Sequence, residues 1–403
     1  MCKEAKILLV VSTLFTFAIG LSSIFVNVFF WKQTSNFIII VLFNLIQYIL
    51  TPFAFIAGGI IAKKKNGIWC LRIGLFIYAV SYAFILFLGK NGGIYIYLVG
   101  MLLGMAAGFY WLAFNTLSFD FTCMDNRDTF NGFNGSCTGA AAAVAPITAA
   151  YIISRFNGTK GYNFVFICTL SLFIILIFIS FTLKCKSYGD KLNMKKAFSR
   201  NCEEWNIIRK STFFWGFRDV IIAFIVNILI IETTKSELSL GKLTFIASLL
   251  TSASYILVQK IIKPPKRKFA IFLGTIGSFI SVLGITFKIT YSTLFFYVIM
   301  DAFFLPFFLI QLSSSTFNVI NSNHDEDMRI EYMINKDIAI NSGRAISAVI
   351  LIVLLIIFKN ISVLRIYLVF ICILPLISGY FLSKLKHVLY GKCIHQCEKI
   401  NKK

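Results

Sequence analysis

Acidic residues are scarce in this chain: 17 Asp and Glu stand against 39 Lys and Arg in 403 residues, and His occurs three times. With so few carboxylates and imidazoles, paired-acid or histidine-assisted catalysis has little to draw on, and His324, His387 and His395 fall in loops or tail rather than beside a nucleophile. No glycine-rich phosphate loop with its lysine occurs, so the chain does not power itself by nucleotide hydrolysis, and no enzyme activity is expected. The ten cysteines are scattered, and Cys70, Cys137, Cys168 and Cys372 lie in apolar stretches where a thiol behaves as a small hydrophobe, so no disulfide framework is implied. Near the C-terminus Cys393, His395 and Cys397 offer three soft ligands, one short of the usual structural zinc set, and neither a metal nor a cofactor is expected.

What is present in excess is apolar: 58% of residues are hydrophobic, 44 are Phe, only 14% are charged, and the mean hydropathy is +0.82. That is the composition of a membrane protein, with the Phe mostly facing lipid. A net charge of +22 would suit nucleic acid if it lay along a solvated face, but the basic residues cluster between apolar runs, and no nucleic-acid partner is expected. The apolar run 7–30 is longer than a signal-peptide core and lacks a small-x-small cleavage site, so it should remain as a first span.

A hydrocarbon core about 30 Å thick takes about 20 helical residues per crossing. On that ruler the sequence predicts an all-α polytopic protein with spans at 7–30, 37–62, 67–89, 93–118, 136–153 and 161–183, then 211–231, 241–259, 269–287, 291–318, 338–358 and 361–383. A polar interval holding Lys184, Lys186, Lys191, Lys195, Lys196, Arg200, Arg209 and Lys210 separates the two sets of six. The organisation expected is a six-helix bundle over 1–183, a basic connector over 184–210, a second bundle over 211–386 and a basic tail over 387–403. With both termini and the connector in the cytoplasm, 27 Lys and Arg fall inside, 8 outside and 4 within spans, the asymmetry that the positive-inside rule asks for. The expected location is the plasma membrane, and a monomer is expected.

The halves echo one another. Lys63, Lys64 and Lys65 lie between the second and third spans, and Lys263, Lys266, Arg267 and Lys268 occupy the matching position in the second half. Asn126-Arg127-Asp128 with Asn131 and Gly132 precedes the fifth span, and Asn335-Lys336-Asp337 with Asn341 and Gly343 precedes the eleventh. Such pairs are expected of duplicated units related by an axis along the membrane normal.

The layout of six plus six spans, a long central loop and a basic loop after the second span resembles the major facilitator superfamily of secondary transporters over essentially the whole chain. The family's loop signature, Gly-x-x-x-Asp-Arg-x-Gly-Arg-Arg, falls on Gly59 to Asn66, where Gly59 and the basic Lys64 match but Lys63 replaces the Asp. The resemblance therefore implies no gating role for Lys63 of the kind the Asp has. The exporter branch carries Gly-x-x-x-Gly-Pro-x-x-Gly-Gly in the fifth span, and here Ala141 to Ala150 keep Pro146 with every Gly changed to Ala. Small residues on one face allow close helix approach, and Pro146 frees a carbonyl and permits a bend.

Charges inside spans point to chemistry, because even lenient insertion scales put about 2.5–3.5 kcal/mol on one at mid-bilayer. Asp301 stands about ten residues into the tenth span, roughly 15 Å deep. Arg218 and Asp219 lie two turns into the seventh, about 100° apart on the helix, so each needs a separate partner. The resemblance implies that the first, fourth, seventh and tenth spans line a central cavity, which would turn Asp301 and one of Arg218 or Asp219 toward it, either as coupling groups or as a buried packing pair. In the fourth span Trp111 and Asn115 share a face and suit an organic solute, though Trp111 also fits an interfacial belt. Arg127, Asp128, Asn131, Lys336, Asp337 and Asn341 are candidate elements of a cytoplasmic gate, with Arg344 a turn further in.

The expected function is alternating-access transport of a small or amphipathic solute, with proton-coupled efflux as one form. A non-transporting sensor or scaffold of the same fold, using its basic surfaces on anionic lipid, is the alternative.

Overall fold

The computed structural model describes residues 2–89, 93, 95–122, 124–156, 158–185, 191–198, 203–220, 224–322, 328–358 and 363–385, except for the side chains at 124–129, 196, 197, 264, 321 and 322. Among the described residues the regular structure is helical. The first half holds α1 (Lys3–Thr34), α2 (Phe37–Lys64), α3 (Gly67–Leu88), α4 (Ile96–Asp120), α5 (Met124–Arg155) and α6 (Lys160–Ser180). A short α7 (Met194–Ala197) leads to α8 (Glu203–Val220), α9 (Val226–Thr234), α10 (Glu237–Ile261), α11 (Arg267–Phe287), α12 (Tyr291–Ser322), α13 (Arg329–Phe358) and α14 (Val363–Ser383).

Eleven of these helices are long and apolar enough to cross a bilayer. The remaining span, expected over 211–231, falls on α8 and α9, with residues 221–223 between them outside the described residues and a π-helical turn at 224–225 leading into α9. Helix α8 also begins inside the expected connector, at Glu203. Spans five and eleven likewise start earlier than expected, at Met124 and Arg329. The two Asn-basic-Asp segments are therefore the opening turns of helices, not loops ahead of them.

Local chemistry explains the sharp turns. Asn36 and Asn66 cap α2 and α3, each side-chain oxygen accepting from the N–H two residues on, at 2.9 and 3.2 Å. Ser35 at the end of α1 and Lys235 at the end of α9 are the described non-glycine residues with positive φ, at 46° and 50°, and each is followed by an N-cap, Asn36 or Ser236. The same unusual turn thus closes the first and seventh spans.

Packing repeats the duplication. In the first half α2 and α3 pack on α4, α1 on α5, and α6 on both α1 and α3. In the second, α10 and α11 pack on α12, α8 on α13, and α14 on both α8 and α11, the same graph six spans later. The halves meet through α5 against α10 and α2 against α13, each the counterpart of the other under the exchange.

Small residues set the first of these contacts. A Cβ on Gly20 of α1 would stand 2.8 Å from the Ala145 Cβ, and Gly241 of α10 abuts Ala150, so the alanine stretch of α5 is held between both halves. Pro146 has no N–H to offer the Ala142 carbonyl one turn back, and Ser248 of α10 supplies the missing donor at 3.2 Å. Outward faces carry exposed apolar side chains such as Phe53, Phe76, Phe87 and Phe178, as suits helices surrounded by hydrocarbon.

Candidate functional site

A cavity of about 1100 Å³ lies between the halves. From the first half its wall takes the amides Asn27, Asn44 and Gln47, the aromatics Tyr48, Tyr78, Tyr82 and Trp111, and Asn131. From the second it takes Trp215, Arg218, Asp219, Lys336 and Arg344, with Gln259 and Ser313. Among the described residues all of its charged groups come from α8 and α13.

The approach of those two helices is set by glycine. A side chain on Gly216 would collide with the Ile340 carbonyl, and one on Gly343 with the Phe213 carbonyl, so α8 and α13 cross backbone to backbone. Next to Gly343 is Arg344, and one turn beyond Gly216 is Asp219. Arg344 donates through Nε at 3.0 Å and Nη2 at 2.6 Å to Asp219 Oδ2, and through Nη1 at 3.1 Å to Asn341 Oδ1. Asn341 is itself anchored by donating to the Asp337 carbonyl at 3.1 Å.

Arg218 takes the other direction. Its Nη2 donates to Asp301 Oδ1 on α12, its guanidinium lies 4.8 Å from the Trp215 ring centre, and both members of the pair are buried, at 1% and 6% exposure. A pair so deep holds only because each charge answers the other, and removing one partner strands the second. Asp301 is behind the wall rather than on it, while Asp219 faces the cavity. The adjacent Arg218 and Asp219 thus belong to two separate pairs.

Trp111 lies on the cavity wall, edge-on to Phe15 and Tyr110. Asn115, one turn on, is half-buried and not part of the wall. Lys336 faces the cavity from within α13 instead of lying in a loop mouth. Asn131 lines the cavity as well, and the side chains of Arg127 and Asp128 are outside the described residues.

At the lysine-rich face, Gly59 packs against α13, where a Cβ would stand 2.6 Å from Ile334 Cδ1. One turn on, buried Lys63 Nζ is 3.4 Å from Glu331 Oε1, whose oxygen also accepts the Asn193 N–H at 3.1 Å. The sequence reading passed over Lys63 because a lysine stands where an Asp was expected. An acid at the start of the eleventh span was the missed signal, since reversing one charge calls for reversing its partner. Lys64 is exposed. Arg329 and Asp120 join α13 to α4 at the same face, 3.7 Å apart.

At the opposite face three groups tie the halves together, none foreseen. Trp31 Nε1 donates to Glu232 Oε1 at 2.7 Å, Tyr162 donates to Glu237 Oε1 at 2.7 Å, and Lys32 pairs with Glu237. Glu232 and Glu237 are the only acids that the topology places at that face.

The sequence and fold match known proteins. A profile of the Major Facilitator Superfamily covers residues 7–332. The uncharacterized protein YqgE of Bacillus subtilis (strain 168) is 34% identical over 348 residues, 86% of this chain and 81% of that one. An uncharacterized protein in the sodM 3' region of Geobacillus stearothermophilus is 41% identical over 170 residues, 42% of this chain and 79% of that one. Among solved structures, the nucleoside transporter NupG superimposes with a TM-score of 0.68 at 12% identity, covering 96% of this chain and 100% of that one, a likeness of fold alone.

Proposed function

The chain belongs to the major facilitator superfamily and is a multi-pass membrane transporter, and from that premise we propose that it is a secondary transporter carrying a small or amphipathic solute through the central cavity by alternating access. The observation that carries the reading is the pair of inter-half latches at opposite ends of one cavity: Glu232 and Glu237 with Trp31, Lys32 and Tyr162 at one face, Lys63 with Glu331 and Arg329 with Asp120 at the other. Rocking one half on the other along α5–α10 and α2–α13 breaks one set while the other holds. The balance between the two sets of contacts is what a solute with different affinity for the two states can shift.

The lysine-rich face is the cytoplasmic one in this reading, with both termini there and the protein in the plasma membrane. Asp219 is the coupling carboxylate. It faces the cavity, and its protonation would release Arg344, giving a proton two-state control over the α8–α13 crossing. Asp301 acts through Arg218, which it holds in place. Export is the favoured direction, on the strength of the alanine stretch and Pro146 at the position of the exporter motif. Gly59, Pro146 and Asn341 serve the moving contacts, and Arg127 and Asp128 remain assigned to the cytoplasmic mouth.

The test uses purified protein in liposomes containing a pH-sensitive dye, with an imposed pH gradient and a panel of solutes. Solute-dependent proton flux is expected, and Asp219→Asn should keep solute exchange while losing gradient-driven accumulation. Proton flux without solute dependence, or none with any solute, refutes the transport reading and leaves a sensor or scaffold.

A further inference from the structure

The charges of the cavity do not balance. Arg218 is answered by Asp301 and Arg344 by Asp219, but Lys336 has no carboxylate partner among the described residues. Asp337, its neighbour in sequence, is not on the wall and stands near Arg344 instead. An ammonium without a counter-charge in a partly open, largely apolar cavity is costly unless water or a bound anion answers it.

The position of Lys336 is as telling as its charge. Arg329, at the start of α13, meets Asp120, at the end of α4, so those two helix ends are level. Lys336 is seven residues along α13 from that level and Trp111 nine residues back along α4, roughly 10 and 13 Å deep at the helical rise of about 1.5 Å per residue. The cation and the exposed indole therefore stand at similar depth on opposite halves. Beyond them lie Asn44, whose amide nitrogen donates to Asn27 and the Ile40 carbonyl, and Gln47, whose nitrogen donates once, to the Phe43 carbonyl, so both carbonyl oxygens and one Gln47 N–H face no partner of this kind.

We propose that the cavity selects an organic anion, its carboxylate or phosphate on Lys336 and its flat, uncharged body against Trp111, with any donor groups of the solute reaching the amides of α2. This inference rests on the transport reading and adds the substrate class to it. The cavity's volume, at the upper end of those that hold drug-sized ligands, suits a solute of that kind with some of its water.

The experiment uses matched probes: phenylacetate, phenyl phosphate, 2-phenylacetamide and phenethylamine, each titrated into purified protein in detergent while the fluorescence of the cavity tryptophans is followed, and each then supplied to proteoliposomes. Unliganded melting temperatures are taken first, to show that Lys336→Gln and Lys336→Arg are folded. The expected result is that one or both anions bind at least tenfold more tightly than the amide and that the amine does not bind. Lys336→Gln should weaken anion binding at least tenfold and leave the amide unchanged, and Lys336→Arg should stay within about threefold of the parent. A carboxylate preferred over the phosphate, or the reverse, sharpens the headgroup and supports the proposal either way. Amine binding equal to or tighter than anion binding, or anion binding that Lys336→Gln leaves intact, overturns it. If the amine or the amide is carried in proteoliposomes and Lys336→Gln has no effect, the anion inference falls while transport stands. If no probe binds or moves, both fall.

Discussion

The two halves share one fold but not one chemistry. Among the described residues the first half lines the cavity with amides, phenols and an indole and brings no charge to it, whereas the second contributes Arg218, Asp219, Lys336 and Arg344, backed by Asp301. Duplication explains the packing graph and the repeated turn at Ser35 and Lys235; it does not require the interiors to match, because only the small-residue contacts must be kept for the helices to meet. With the described charges concentrated in one half, the other half offers a surface that stays the same whatever their protonation state.

That contrast is open to direct attack, beginning where the effect should be largest. Asp301→Asn leaves the buried Arg218 unanswered, at a cost of about 3–5 kcal/mol, and should appear as poor folding yield and a much lowered melting temperature. The double variant Arg218→Met with Asp301→Leu should recover much of that stability, because the stranded charge is gone, and still fail to transport. If Asp301→Asn alone melts like the parent, the pair is not what holds α8 to α12.

Gly343→Val forces a side chain onto the Phe213 carbonyl and must push α13 from α8, for about 1–3 kcal/mol of overpacking, with transport falling at least tenfold as Arg344 leaves Asp219. The matching small-residue contact between the halves, Gly241 on Ala150, should respond to Gly241→Val with slower conformational exchange, read by distance measurements between spin labels. Asp219→Asn is milder for stability, at about 1 kcal/mol, since the pair is partly exposed; its signature is kinetic, with exchange preserved and accumulation lost. Smallest of all is the first half: Asn44→Ala removes hydrogen bonds to Asn27 and Ile40 worth about 1 kcal/mol, and should raise KM about fivefold with kcat little changed. A charge-neutral substitution in the first half that abolished gradient coupling would erase the contrast between the halves.

Much of the architecture was legible in advance. Eleven spans fell where the apolar runs are, because a bilayer sets a length that composition must meet. The seventh span, expected over 211–231, is shared by α8 and α9, and hydropathy does not reveal the π-helical turn at 224–225. Arg218, Asp219, Asp301 and Arg344 were found as candidates because a charge in an apolar helix is costly, and the need of Arg218 and Asp219 for separate partners followed from their angular separation. Which acid met which base did not follow. Lys63 was set aside for its sign, and Trp31, Tyr162, Glu232 and Glu237 carried no signal at all, standing in short loops or at helix ends where such residues are ordinary.

What the sequence by itself determined was the set of helices, their number and the lysine asymmetry of their ends, because hydrocarbon admits few alternatives to a hydrogen-bonded apolar helix. The tertiary structure alone decided the pairing of charges, the lack of a carboxylate partner for Lys336 among the described residues, and the latches at either end of the cavity. Each of these depends on how two bundles far apart in sequence meet, and a meeting set by glycine and alanine surfaces leaves no periodicity for a linear reading to detect.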